Sequence, residues 1–283
     1  MIKINDSMNE VVEAIKNPVK GVPTGLKSVT KATGGYKPGQ LIIYAGRSSM
    51  GKSALAGDTL LAQPGKTLVF SLEMSSIVLI ERLIANKANV NFRDLVDNKL
   101  RDPERERVRE AIEWLKQQPY YIDDTPCLTP DQFWDKAEKH PDASLIIIDH
   151  LHLMRHDDGR MNEVKALDDI CQQLREYAKK NKVPIVLVAQ LNRNAEDRDN
   201  HEPILADLRG SGGIEQDSDI VLMLYRPAYY KQREIDYSAE DDGDAVVIIA
   251  KQRNGVTGKL RTVFMGEFMS FRDSPDETMD NWR

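Results

Sequence analysis

Cysteine is scarce in this 283-residue chain: Cys127 and Cys171 are its only two, 44 positions apart and outside any CxxC pairing. That spacing argues against a disulfide framework and a cysteine-rich zinc site, and it fits a reducing compartment. Long apolar runs are missing too. Runs such as residues 145–148 and 220–225 fall far below the ~18 residues of a membrane span, which excludes a membrane partner of that kind. From Met1 and Ile2 onward there is neither a charged segment followed by an apolar stretch nor an Arg-rich leader, so the chain is expected to stay where it is made. Nor is there an excess of positive charge, since 45 acidic side chains against 39 basic ones give a net charge of −6. Any contact with a polyanion must therefore be local, within the ~8–10 Å reach that screening allows.

What is present is an ordinary globular composition, 41% apolar, with enough chain to bury a core without staples. Short β-branched runs alternate with longer amphipathic stretches, the pattern of parallel strands joined by helical crossovers. Strands are predicted at residues 41–45, 67–71, 145–149, 184–190, 219–225, 245–251 and 259–265. Helices are predicted at 53–61, 76–88, 103–117, 129–139 and 162–181. The last of these places Val164, Leu167, Ile170, Cys171, Leu174 and Ala178 on one stripe. From about Asp219 onward strands follow one another without helices, so the sheet is expected to end in antiparallel or mixed edge strands. The tyrosine-rich and then acidic stretch 229–244 reads as an exposed loop.

One domain is expected over residues 21–283. Residues 1–20 read separately, as a short amphipathic helix carrying Met8, Val11, Val12 and Ile15, followed by the breakers Asn17, Pro18, Gly21 and Pro23. A helix that short cannot stand alone, so it must dock on its own domain or on a neighbour.

The most specific pattern is Gly46-Arg47-Ser48-Ser49-Met50-Gly51-Lys52-Ser53, which fits G-x4-G-K-[ST] directly after a strand and directly before a helix. Glycines let backbone N–H groups turn toward a phosphate, and the helix N-terminus adds a favourable dipole. Lys52 supplies a cation to the β- and γ-phosphates, and Ser53 a ligand for Mg2+. An ordinary glycine turn is the competing reading, and both flanks argue against it. A magnesium-bound triphosphate also needs an acid at the end of a neighbouring strand, which Asp149 provides. Glu73, just past the strand at 67–71, is placed to orient an attacking water, although a Glu favoured at a helix start fits the same position. Gln190 closes another strand, where its amide either senses a γ-phosphate or simply caps the strand.

Asp207-Leu208-Arg209-Gly210-Ser211-Gly212-Gly213 is polar and glycine-rich with one cation. Arg209, Gly210 and Gly212 are candidates to hold the phosphates of a nucleic acid strand, and an unspecialised loop is the alternative. His150, His152 and His156 lack the spacing of a zinc helix, and residues 240–242 lack that of a calcium loop, so both metal readings are set aside.

Several stretches together resemble, in content and in order, the C-terminal RecA-like ATPase domain of DnaB-type replicative DNA helicases, which work as hexameric rings. They are residues 46–53, Ser71-Leu72-Glu73-Met74, Ile147-Ile148-Asp149-His150-Leu151, Ala189-Gln190-Leu191-Asn192-Arg193, 207–219 with Ile214-Glu215-Gln216-Asp217, and Lys251-Gln252-Arg253-Asn254-Gly255-Val256-Thr257-Gly258. The resemblance spans residues 21–265. It implies an α/β fold, a RecA-like P-loop NTPase with a mostly parallel central sheet flanked by helices and antiparallel strands at the C-terminal end. It implies ATP and Mg2+ held by residues 46–53, Arg82 approaching the phosphates, Asp149 supporting the metal, Glu73 as catalytic base and Gln190 as sensor. Lys251 and Arg253 become fingers reaching a neighbouring subunit's site. Single-stranded and forked duplex DNA, five further copies of the chain, and primase or a helicase loader are the partners implied, in the cytoplasm of a bacterial cell or phage-infected host.

Two departures stand out. No N-terminal helical collar precedes the linker helix, so primase recruitment through a collar is not expected of these residues. Gly210 stands where many DnaB proteins have Glu, which is closer to phage primase–helicases and their mitochondrial relatives and suggests a phage or mobile-element origin. A RecA- or KaiC-like ATPase that controls assembly without unwinding, and a DNA-loading subunit whose nucleotide only organises a ring, are the other readings open at this point.

Overall fold

Strands that are apolar at every position need cover on both faces, and in the computed structural model of this chain helices supply it. The structure describes residues 4–17, 19–156, 158, 161–192, 196, 198, 200–208, 212–234 and 243–275. The helices are α1 (Ile4–Lys16), α2 (Lys27–Thr33), α3 (Lys52–Leu61), α4 (Ser76–Ala88), α5 (Phe92–Val96), α6 (Asp102–Lys116), α7 (Pro130–Ala137), α8 (Glu163–Asn181), α9 (Gly212–Asp217) and α10 (Pro227–Glu234). The strands are β1 (Leu41–Gly46), β2 (Thr67–Ser71), β3 (Tyr120–Asp123), β4 (Leu145–Asp149), β5 (Ile185–Gln190), β6 (Ile220–Tyr225), β7 (Asp244–Gln252), β8 (Gly258–Met265) and β9 (Ser270–Asp273).

They form one sheet in the order β3-β2-β4-β5-β1-β6-β7-β8-β9. The pairs from β3 to β6 are parallel, and those from β6 to β9 antiparallel. The expected mixture of a parallel centre and an antiparallel C-terminal end is therefore present. Alternate side chains of β1 serve two cores. Leu41, Ile43 and Ala45 pack with Phe133 of α7 and Leu174 and Tyr177 of α8, while Ile42 and Tyr44 pack with Leu55 and Leu60 of α3 and Leu79 and Leu83 of α4. Local signals set the helix starts. The Ser75 side chain accepts from the Val78 N–H before α4, and that of Asn162 from the Val164 N–H before α8. Among the described residues no helix is long and apolar enough to cross a membrane.

The seven strands and five helices expected from periodicity are present, with ends shifted by a residue or two. The expectation that helices cease after Asp219 does not hold, because α10 lies between β6 and β7. Tyr229 and Tyr230 therefore belong to a helix and not to an exposed loop. Tyr230 is 7% exposed, and its ring stacks on His201 at 4.4 Å and lies 6.0 Å from Tyr225. Pro227 at the first helical position was the available signal. The rest of that stretch, 235–242, lies outside the described residues.

At the C-terminal edge, β9 ties three helices together through side chains. Asp273 accepts from the backbone N–H groups of Lys27 and Ser28 at 2.9 and 3.1 Å, at the start of α2. Asp58 of α3, 6% exposed, accepts from Asn86 Nδ2 of α4 and from the Phe271 N–H, each at 2.7 Å. Burial pushes the Asp58 carboxyl from its ordinary 3.8 up to about 6, with those hydrogen bonds pulling the other way. A raised carboxylate pKa contributes stability that is complete below about pH 4 and lost as pH rises through about 6. Urea unfolding of wild type and Asp58→Asn should therefore converge or cross with pH. The wild type should gain about 2–3 kcal/mol on the variant between pH 7 and pH 4. A difference that is constant with pH would rule out this account of Asp58.

Candidate active site

Parallel strands deliver their C-terminal ends to one edge of a sheet, and register decides which residues meet there. Here Gly46 lies opposite Gln190, Asp149 opposite Val188, and Ser71 opposite Asp149. The phosphate loop leaves β1 at that edge. Its Ser49 (φ 65°) and Gly51 (φ 90°) are both left-handed, and Gly51 caps the N-terminus of α3. Glycine is needed at 51 on two grounds: the dihedral, and the fact that a Cβ would come within 2.7 Å of Phe271. The result is a concave run of backbone N–H groups at a helix start, a geometry that receives anions.

The Lys52 ammonium donates to the Arg47 carbonyl oxygen at 3.0 Å. Burial lowers its pKa, while the nearby carboxylates of Asp149 and Glu73 act in the opposite direction. Ser53 and Asp149 line one small cavity together, and burial pushes the Asp149 carboxyl up to about 6, with Ser53 pulling the other way. Asp149 is 4% exposed, and its Oδ1 has no hydrogen-bond partner among the described residues. A hydroxyl and a buried carboxylate with a spare oxygen, lining one small cavity, are hard donors that fit Mg2+. Among the described residues no group of three His, Cys, Asp or Glu could hold a metal by itself, so such an ion would draw its remaining ligands from phosphate and water.

Glu73 is fixed beside this pair through its backbone, because the N–H groups of Leu72 and Glu73 both donate to the Asp149 carbonyl, at 2.6 and 3.3 Å. Arg82 on α4 carries its charge close enough to lower the Asp149 pKa. Its guanidinium lies 5.8 Å from the Phe92 ring, and its buried Nε has no hydrogen-bond partner among the described residues. Gln190 Nε2 reaches Ser48 Oγ at 3.3 Å. The structure thus brings together Gly46, Arg47, Ser48, Ser49, Met50, Gly51, Lys52, Ser53, Glu73, Arg82, Asp149 and Gln190. His150 and His152, just past Asp149, face each other with ring centroids 5.7 Å apart, and burial leads the lowering of both pKa values, that of His152 to about 4.

Lys251 and Arg253 stand elsewhere. β7 runs antiparallel to β6, so its C-terminal end lies at the opposite edge of the sheet. Gln252 is opposite Ile220, and the Arg253 N–H donates to the carbonyl oxygen of Asp219, whose own N–H donates to Leu41 at the start of β1. The length of β1 separates them from their own phosphate loop, roughly 15–20 Å. There the Lys251 ammonium donates to the Glu215 carbonyl, and Arg253 donates to the Gln216 carbonyl at 2.6 Å, which ties both cations to α9. Gly212 opens α9, where the Gly213 N–H donates to Asp168 Oδ1 at 2.8 Å. Arg209 and Gly210 lie outside the described residues. Asp207, at the start of the polar, glycine-rich stretch, is buried at 2% exposure and held by a two-pronged ion pair with Arg198.

One residue beside the loop escaped the sequence reading. Arg226 donates to the Ser49 carbonyl at 2.9 Å, and its guanidinium lies 4.2 Å from the Phe264 ring. Its signal was positional: it follows β6, a strand parallel to β1 and next to it, so it arrives at the same edge as Gly46.

Comparison with known proteins places the chain in a family. The family described as the DnaB-like helicase C terminal domain matches residues 21–273. The replicative DNA helicase DnaB of Haemophilus influenzae is 36% identical over 263 residues, covering 89% of this chain and 55% of that protein. The replicative DNA helicase DnaC of Bacillus subtilis is 34% identical over 267 residues, covering 90% of the chain and 57% of that protein. The chain thus spans a little over half the length of these relatives. Among solved structures, one described as an ATPase domain superposes with a TM-score of 0.88 at 28% identity, covering 96% of this chain and 99% of that one. A DnaB-like replicative helicase, described with its interactions with primase, superposes with a TM-score of 0.86 at 28% identity, covering 97% of this chain and 67% of that one.

Proposed function

The chain belongs to the DnaB-like helicase C-terminal domain family, and from that premise we propose that it is the motor of a replicative DNA helicase. In this reading six copies form a ring around one DNA strand, ATP hydrolysis between copies moves the ring along that strand, and a forked duplex ahead is unwound. The observation that carries it is the division of the site. Nucleotide-facing groups gather at one edge of the sheet, while Lys251 and Arg253 lie at the other, beyond reach of their own phosphate loop. A second copy placed edge to edge brings those cations to the phosphate loop of its neighbour.

The residues divide the work accordingly. Backbone N–H groups of residues 47–52 cradle the β-phosphate, and Lys52 leaves the Arg47 carbonyl for the β- and γ-phosphates. Ser53 and Asp149 would hold Mg2+, which when bound neutralises charge developing on the phosphate oxygens. Glu73 accepts a proton from the attacking water, Gln190 reads whether a γ-phosphate is present, and Arg82 adds a positive field. Arg226, buried against the Phe264 ring and bonded to the Ser49 carbonyl, holds the phosphate loop in shape. The apolar side chains of α1, with Met8, Val11, Val12 and Ile15 all exposed, dock on an adjacent copy in this arrangement. Arg209, Gly210 and Gly212 carry the DNA phosphates, and primase or a loader binds the assembled ring.

Strand displacement on forked DNA, with each single-stranded tail removed in turn, tests the reading together with ATP turnover measured with and without single-stranded DNA. The expected result is unwinding that requires one particular tail, turnover stimulated about fivefold or more by DNA, and DNA binding that weakens steeply with salt. DNA-independent turnover with no displacement on either tail would leave an assembly-control ATPase in its place.

A further inference from the structure

The Arg47 side chain does not face the nucleotide groups. Its NH1 donates to the Leu191 carbonyl at 2.7 Å, and its Nε to Glu196 Oε1 at 2.9 Å. The phosphate loop therefore grips the chain just past Gln190 twice, through Arg47 and through the Ser48–Gln190 contact. Arg47 is also where an arriving phosphate is felt first, because its carbonyl is the group that Lys52 must release. Two residues beyond Glu196, Arg198 forks onto both carboxylate oxygens of Asp207, and the Asp207 carbonyl accepts from the Asn192 N–H at 3.1 Å. Asp207 Oδ2 also accepts from the Ile204 N–H at 2.8 Å. The loop is thus closed at its neck, and Asp207 lies two positions before Arg209 in the sequence.

We propose that Glu196 is a positioning residue that, through its ion pair with Arg47, couples the state of the phosphate loop to the segment leading into Arg209. The inference rests on the proposed DNA motor and names how its two sites communicate. Movement at Arg47 pulls Glu196, Arg198 moves with it, and Asp207 carries the displacement to the start of the DNA segment. The same path run backward lets DNA alter turnover, as coupling between two sites is reciprocal. The pair suits this use because its carboxylate side is open to solvent, with Glu196 38% exposed against 12% for Arg47. Such ion pairs add little to folding and can break and re-form. Another ion pair of this loop, Glu202 with Lys259 at 2.7 Å, does not involve the phosphate loop, and because Arg198 bonds the Glu202 carbonyl and not its carboxylate, the Glu202 side chain serves as an internal control.

The test is steady-state ATP turnover of the whole chain, with and without single-stranded oligo-dT, for wild type, Glu196→Gln, Glu196→Asp and Glu202→Gln, alongside thermal melting. Glu196→Gln should keep the wild-type melting temperature, basal kcat and KM for ATP while losing about fivefold of the DNA stimulation. Glu196→Asp should recover most of that loss, and Glu202→Gln should match wild type. The proposal is overturned by full stimulation in Glu196→Gln, by a parallel fall in its basal turnover, or by an equal loss in Glu202→Gln. A wild-type chain that shows no DNA stimulation overturns the motor reading itself, and this inference with it.

Discussion

Glu73→Gln keeps nucleotide bound and stops its hydrolysis. The amide has the size and shape of the carboxylate but cannot take a proton from water, and a positioned general base is worth about 10²–10⁴ in rate. Position is preserved, because Glu73 is held through its backbone N–H on the Asp149 carbonyl and not through its side chain. Phosphate release should fall by about 10²–10⁴, while binding of a fluorescent ATP analogue with Mg2+ stays near wild type. Lys52→Ala gives the opposite pattern, since it removes the cation that meets the phosphates in the ground state as well as in the transition state, so affinity itself falls. Should Glu73→Gln hydrolyse ATP at the wild-type rate, Glu73 is only the favoured acid of a helix start and the base is another group.

This contrast marks what the sequence made legible. The phosphate loop, Asp149 and Gln190 each sit at the end of a strand whose apolar run is readable without tertiary information, and parallel pairing then forces those ends together. The same logic would have found Arg226, which stands at the end of such a strand next to β1. It was obscured because one conspicuous glycine pattern points to a single loop. β3, β9, α2 and α5, at four, four, seven and five residues, are too short for a period to declare itself, and they exist through what they pack against. β9 is held by Asp58 and by the start of α2, partners far away in sequence. Tyr230 looked like part of a polar loop because its burial depends on His201 and Tyr225, which composition alone cannot bring near. Arg47 was counted with the phosphate loop on pattern alone, and its side chain is committed instead to Glu196, a contact across 149 positions.

Arg253→Ala should lower turnover by about 10³-fold or more, the size of effect an arginine supplied in trans has on phosphoryl transfer. The loss should be repaired by a second defective protein. In a ring built from Arg253→Ala and Glu73→Gln copies, some interfaces pair a phosphate site that retains Glu73 with a neighbour that retains Arg253. Random assembly of equal amounts gives about one such interface in four, because head-to-tail contacts sample each combination equally. Single-turnover phosphate release reads these interfaces without requiring the ring to cycle. The expected result is a burst in the mixture that neither protein shows alone, rising and falling with the mixing ratio. A structural explanation of Arg253→Ala is available, since Arg253 also bonds the Gln216 carbonyl and pairs with Asp219 at 3.5 Å. It predicts that each damaged copy stays damaged whatever stands beside it. Repair in the mixture therefore separates the two accounts. A burst absent at every ratio would return Arg253 to a local brace for α9, and would leave the sheet-edge separation of the two half-sites without a catalytic meaning.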